Sequence, residues 1–140
     1  MTSLSWFFFS GVNYRIVGGD KDSNNRNKTG RVEIQLNGQW GSVCDTNWDN
    51  REARVLCRSL NFSDGYAIQG SHYGQGTGPV WLGYLKCNGT EKYIHSCAHR
   101  GFNDEISKNS WKKCTNHAND ASVACVDKGM SWINKLPFII

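Results

Sequence analysis

Apolar and polar residues alternate without a break from Arg31 to Leu36. Val32, Ile34 and Leu36 fall on one face, and Arg31, Glu33 and Gln35 on the other. A period of two predicts a half-buried strand. Asn37-Gly38 follows, the pair favoured in a two-residue hairpin, so Gln39–Cys44 is the expected partner strand. The period changes after Asp49. Ala53, Leu56, Cys57 and Leu60 recur at helical spacing and make one apolar face, while Arg51, Arg54 and Arg58 fall opposite. Asp49 and Glu52 have the spacing of a capping box, and Asn61 ends the run. Cys57 lies on the apolar face and so points to the core. Tyr66–Gln69, Val80–Leu82 and Ser122–Val126 read as further short strands, and Glu91–Cys97 as a short helix started by Thr90. His99–Lys113 is a polar loop, and there is no internal repeat or low-complexity run.

At 140 residues the chain has room for one domain. Hydrophobic residues make up 39% and six are Trp, which argues for a packed core over disorder. The 15 glycines against 2 prolines suit tight turns between short strands. A net charge of +4 is too mild for a dedicated nucleic-acid binder, yet suits acidic ligands such as sulfated glycans or bacterial surface polymers. Six cysteines favour three bridges formed in an oxidising compartment, and spacing alone leaves fifteen connectivities open. Three N-x-S/T sequons, at Asn27, Asn61 and Asn88, point to the same compartment. Trp6-Phe7-Phe8-Phe9 lacks a basic flank and a cleavage site, and this run and the apolar Met130–Ile140 are both too short to span a bilayer. Both ends read as edges of a longer protein. The expected division is residues 1–14 as a non-domain segment, 15–126 as the domain and 127–140 as a tail.

The residues around the cysteines carry a family resemblance. Cys44 lies in Trp40-Gly41-Ser42-Val43-Cys44-Asp45 with Trp48-Asp49 beyond, and Cys57 in Val55-Leu56-Cys57-Arg58-Ser59-Leu60. Gly74-Gln75-Gly76-Thr77-Gly78-Pro79-Val80-Trp81-Leu82 leads to Cys87, and Cys125 ends Asp120-Ala121-Ser122-Val123-Ala124-Cys125. In order and spacing these runs, from Arg15 to Val126, resemble the scavenger receptor cysteine-rich domain in its six-cysteine form, group A. The resemblance implies a small disulfide-stapled α+β domain, a curved antiparallel-rich β-sheet cradling one main α-helix. It implies the pairs Cys44–Cys114, Cys57–Cys125 and Cys87–Cys97. The eight-cysteine form adds one cysteine near Lys28 and one near Phe62, and both are absent here.

The function implied is that of an extracellular binding module and not an enzyme, part of a secreted or membrane-anchored protein. Its partners would be protein or polyanionic glycan ligands, in adhesion, endocytic clearance or innate defence, with no cofactor, no dedicated nucleic-acid partner and no membrane contact except through a parent anchor. The alternative is an accessory domain of a larger secreted enzyme, such as a serine protease or a lysyl oxidase-like protein.

Other motifs have plainer readings. Arg15-Ile16-Val17-Gly18-Gly19 copies a trypsin-type activation site, but the G-D-S-G-G and A-H-C runs of such a protease are missing, and domains of the resembled family commonly open R-L-V-G-G. A zinc site would need paired short Cys/His spacings, and no C-x2-C occurs, so the histidines are read as surface residues. Many members of the resembled family bind calcium through an Asp pair after W-L and a Glu before D-A-G-V. Here those positions are Gly83-Tyr84 and Asn119, and Thr46 replaces a second Asp after Cys44. Asp45, Asp49 and Asp120 remain, so no tight metal site is expected. The ligand-contacting candidates are Arg100, Lys108, Trp111, Lys112 and Lys113 in the long loop, ahead of Arg51, Arg54 and Arg58 on the helix. For the helix arginines, a solvated face is the commoner role.

Overall fold

The alternation from Arg31 to Leu36 is the second half of a longer strand. In the computed structural model, residues 11–22, 26–101, 114 and 116–127 are described, the side chains of residues 100 and 101 excepted. The elements in order are β1 (Asn13–Lys21), β2 (Asn27–Leu36), β3 (Gln39–Val43), α1 (Asn50–Ser59), β4 (Asp64–Ile68) and β5 (Val80–Lys86). A turn of 3-10 helix (Ile94–Ser96), β6 (Ala98–Gly101) and β7 (Ser122–Val126) complete them.

β2 organises the sheet. β1 lies antiparallel along one edge of it, from Asn13 opposite Gln35 to Lys21 opposite Lys28. The other edge is shared end to end: β7 pairs with Asn27–Arg31, and β3 with Glu33–Leu36 through the expected hairpin. β4 then pairs with β7, and β5 with β3, the latter pair being parallel. β6 pairs antiparallel with β5. Among the described residues the result is a mostly antiparallel seven-stranded sheet with one helix packed on β4 and β7, the α+β architecture expected.

The helix begins as the sequence predicts. Asp49 accepts from Arg51 N at 2.8 Å, and Glu52 Oε1 accepts from Asp49 N at 2.9 Å, closing the capping box. Ala53, Val55, Leu56 and Cys57 are buried. Gly65 lets β4 approach them: a Cβ there would lie 2.3 Å from Cys57 Sγ and 2.7 Å from the Ala53 carbonyl oxygen. Ile16, Val32 and Ile34 from the sheet meet Val43, Leu82, Leu85, Ile94 and Val123 in the same core. Trp48 is 1% exposed, and its indole N–H donates to Ser122 O at 2.9 Å. The bridges Cys44–Cys114, Cys57–Cys125 and Cys87–Cys97 fasten β3, α1 and the loop after β5, and they are the pairs the resemblance implies.

Three elements differ from expectation. β1 is a full strand, hidden in sequence by Gly18-Gly19, which interrupts the alternation where the register shifts between Gly18 and Lys21. The helix expected over Glu91–Cys97 is one 3-10 turn with no side-chain cap. A bridge spanning 10 residues leaves little room for more, and Glu91 instead accepts from Asn88 N and Gly89 N. Finally, β6 takes His99, Arg100 and Gly101 from the start of the expected loop.

Candidate ligand-binding surface

The acidic positions that could have held a cation are committed to fixed donors. Asp120 is fully buried. Its Oδ1 accepts from Ser42 Oγ at 2.9 Å, and its Oδ2 accepts from Gly76 N at 2.7 Å. His117 Nδ1 lies 2.9 Å from the same Oδ2, and His117 Nε2 lies 2.6 Å from the Gly78 carbonyl oxygen. Each ring nitrogen thus faces an oxygen of a different segment. The ring is a staple between the turn that precedes β7 and the Gly74–Gly78 run, not the surface histidine expected. Asp45 Oδ2 accepts from Gly70 N at 2.6 Å. Gly83 and Tyr84, where the family resemblance calls for an Asp pair, sit in β5. A hard cation needs several free oxygen ligands. Among the described residues the one clustered set of three potential metal ligands is Cys87, Glu91 and Cys97, and its sulfurs are bonded to each other.

Ser42, His117 and Asp120 are also the residue types of a hydrolytic triad, but their geometry is wrong for one. A catalytic histidine turns one nitrogen to the serine and the other to the carboxylate. Here Nδ1 faces both Ser42 and Asp120, Nε2 is taken by Gly78, and Ser42 is 1% exposed and donates to the aspartate.

The helix arginines are engaged locally. Arg51 pairs with Asp49 at 2.8 Å, Arg54 with Asp64 at 3.2 Å, and Arg58 donates to the carbonyls of Ser63 and Gly89. The hydrogen bond from Arg51 lowers the Asp49 carboxyl to about 2. Lys108, Trp111, Lys112 and Lys113 lie outside the described residues, as does the side chain of Arg100, whose backbone belongs to β6. Asn27, Asn61 and Asn88 are all exposed.

Two features were not singled out in the sequence. On the outer face of β1–β3, Arg15 stacks 4.0 Å over the Trp40 ring. Glu33 sits between Arg15 and Arg31, with contacts of 2.6 and 2.8 Å. Arg31 reaches on to the Gly74 carbonyl at 3.2 Å. Arg and Trp are the residue types favoured at the centre of protein interfaces. The polar half of the strand alternation marked Arg31 and Glu33, but nothing in it marked Arg15.

The second feature is an open pocket of about 410 Å³ lined by β1, β2 and the residues that end α1. Ile16, Leu60 and Phe62 form its apolar part, with Tyr14, Arg15, Lys21 and Lys28 around them. Lys28 and Phe62 mark the neighbourhoods where the eight-cysteine form would carry its extra bridge, and here both line this pocket. The Tyr14 hydroxyl is hydrogen-bonded to His95 Nδ1, and the rings of Tyr14, Tyr93 and His95 stack. Burial pushes the Tyr14 phenol up and the His95 ring down from their ordinary values, with His99 adding to the second effect.

No helix among the described residues is long and apolar enough to cross a membrane. The family model for the scavenger receptor cysteine-rich domain matches residues 22–126. The chain is 42% identical over 113 residues to the Macrophage receptor MARCO of Mus musculus, covering 79% of this chain and 18% of that protein. It is 44% identical over 108 residues to Lysyl oxidase homolog 2 of Bos taurus, covering 76% of this chain and 13% of that protein. The crystal structure of the dimeric form of the cysteine-rich domain of mouse MARCO superposes with a TM-score of 0.60 at 36% identity, over 79% of this chain and 92% of that one. The chain therefore spans under a fifth of the length of either curated relative.

Proposed function

This chain belongs to the scavenger receptor cysteine-rich family, and on that premise we propose that it is an extracellular recognition module for protein or polyanionic surface ligands. The observation that carries the reading is the fate of the carboxylates. Asp45, Asp120 and Glu52 are spent on backbone donors, and Glu33, Asp49 and Asp64 on arginines. Lys21 and Lys28 have no ion pair among the described residues, and the chain is +4 overall. The surface is thus biased toward anions, while the acidic groups that would bring a metal to the ligand are occupied. Three bridges and exposed sequons suit an extracellular setting. Within the reading, residues 102–113 choose the ligand through Lys108, Lys112 and Lys113, with Phe102 and Trp111 as anchors and Arg100 beside them. The helix arginines, already bonded to their neighbours, contribute less.

The test is surface plasmon resonance of the secreted domain on immobilised dextran sulfate. The triple variant Lys108→Ala, Lys112→Ala, Lys113→Ala should bind about tenfold or more weakly, on the order of 1.4 kcal/mol. The triple variant Arg51→Ala, Arg54→Ala, Arg58→Ala should lose much less. The reverse order would move the site to the helix. A second reading, an accessory domain beside a catalytic domain, is favoured by the 44% identity to Lysyl oxidase homolog 2. An adjoining catalytic domain in the full-length transcript would decide for it.

A further inference from the structure

We propose that the pocket bounded by β1, β2 and the end of α1 binds a small amphipathic anion, its head between Lys21 and Lys28 and its apolar part against Ile16, Leu60 and Phe62. The first observation is the register. Lys21 and Lys28 are direct cross-strand partners, and both line the pocket. Like charges placed directly opposite on a sheet destabilise it. A carboxylate from the chain would relieve that repulsion, yet neither lysine has an ion pair among the described residues. Nearby Asp22 turns its oxygens to Arg26 N, at 2.7 Å, and to Asn27 Nδ2, at 3.1 Å. Arg15 also lines the pocket, but its guanidinium is held by Glu33 and Trp40, which leaves the two lysines as the available cations.

The second observation is the shape and lining. The volume of about 410 Å³ lies within the range of small-ligand sites, about 300–1,000 Å³. A sulfated polysaccharide would satisfy the lysines but has nothing to place on Leu60 and Phe62. A single molecule with one anionic head and a short apolar tail satisfies both. This proposal rests on Lys21 and Lys28 and the earlier one on Lys108, Lys112 and Lys113, so different variants test the two.

Isothermal titration of the intact chain with decanoate, below its micelle-forming concentration, tests this. Decanoate should bind saturably at one site and raise Tm by mass action. Acetate should bind at least about tenfold more weakly, since it lacks the apolar part. Decyltrimethylammonium, of the opposite charge, should not bind. The variant Lys28→Glu keeps the Asn27-x-Thr29 sequon, converts the like-charged pair to an opposite-charged one, and should abolish decanoate binding while raising the Tm of the free domain. Dextran sulfate binding should fall far less in that variant than in the Lys108→Ala, Lys112→Ala, Lys113→Ala variant. No saturable decanoate binding, equal binding by Lys28→Glu, equal binding of the cationic detergent, or a lowered Tm in the free variant would each overturn the proposal.

Discussion

Glu52 reaches from the first turn of α1 to the backbone of Cys87. Its Oε2 accepts from Cys87 N at 2.7 Å, while its Oε1 accepts from Asp49 N at 2.9 Å. The residue is 1% exposed, and burial pushes its carboxyl up from the ordinary value. One carboxylate thus closes the helix cap and anchors the strand end that carries the Cys87–Cys97 bridge. Replacing Glu52 with Ala strands a buried donor at Cys87 and a partly buried one at Asp49. The expected cost is about 2–4 kcal/mol, read by urea unfolding at neutral pH. Glu52→Gln keeps one acceptor and should cost less. A loss under about 0.5 kcal/mol for Glu52→Ala, the size of an ordinary surface change, would show that the anchor is not structural.

Asp49 gives a pH dependence. Its folded value, about 2, lies below the ordinary 3.8, so the unfolded chain binds the proton more readily in between. The stabilisation is complete above about pH 4 and disappears as pH falls toward 2. Asp49→Asn preserves the cap, since Asn caps as well as Asp, and removes the titration. Its acid melting curve should therefore be flatter than the parent's between pH 4 and 2. The size at neutral pH is under about 1 kcal/mol, because the pair with Arg51 is exposed. Glu52, raised by burial, acts in the opposite sense, so the informative quantity is the difference between the two curves. Parallel curves would contradict the assignment.

The bridges should differ in weight. Cys44–Cys114 closes a separation of 70 residues and Cys87–Cys97 one of 10. The chain-entropy model gives roughly 4 kcal/mol for the first and about 2.5–3 kcal/mol for the second. The double serine variant of the long bridge should melt lower than that of the short one, and the opposite order would contradict the model.

Gly65→Ala tests the helix–sheet approach. The added Cβ meets Cys57 Sγ and the Ala53 carbonyl at distances no real Cβ keeps, so β4 must move off α1 or the bridge must shift. Overpacking of this kind costs about 1–3 kcal/mol, and thermal melting should show it. An unchanged Tm would mean that β4 sits further from the helix.

Periodicity made the central strand, the hairpin and the capped helix readable, because each element carries its own burial pattern. It could not show β1, where two glycines break the alternation and the strand is recognised only by its pairing to β2. Nor could it show that His117 closes over Asp120, a contact made by a turn and three different segments. The disulfide pairing came from the resemblance, since six cysteines alone permit many frameworks. The Lys21–Lys28 pair depends on a register set by the bulge at Gly18–Lys21, and a one-residue slip would have separated the two side chains.

In the proposed function, the domain's own cations recognise anionic surfaces without a divalent metal. The most direct measurement is dextran sulfate binding by the folded domain across a salt series, with and without EDTA. Exposed cations are screened over about 10 Å at ~0.1 M salt, so affinity should fall steadily as salt rises and be unchanged by the chelator. Binding that vanishes with EDTA, or that ignores salt, would contradict it.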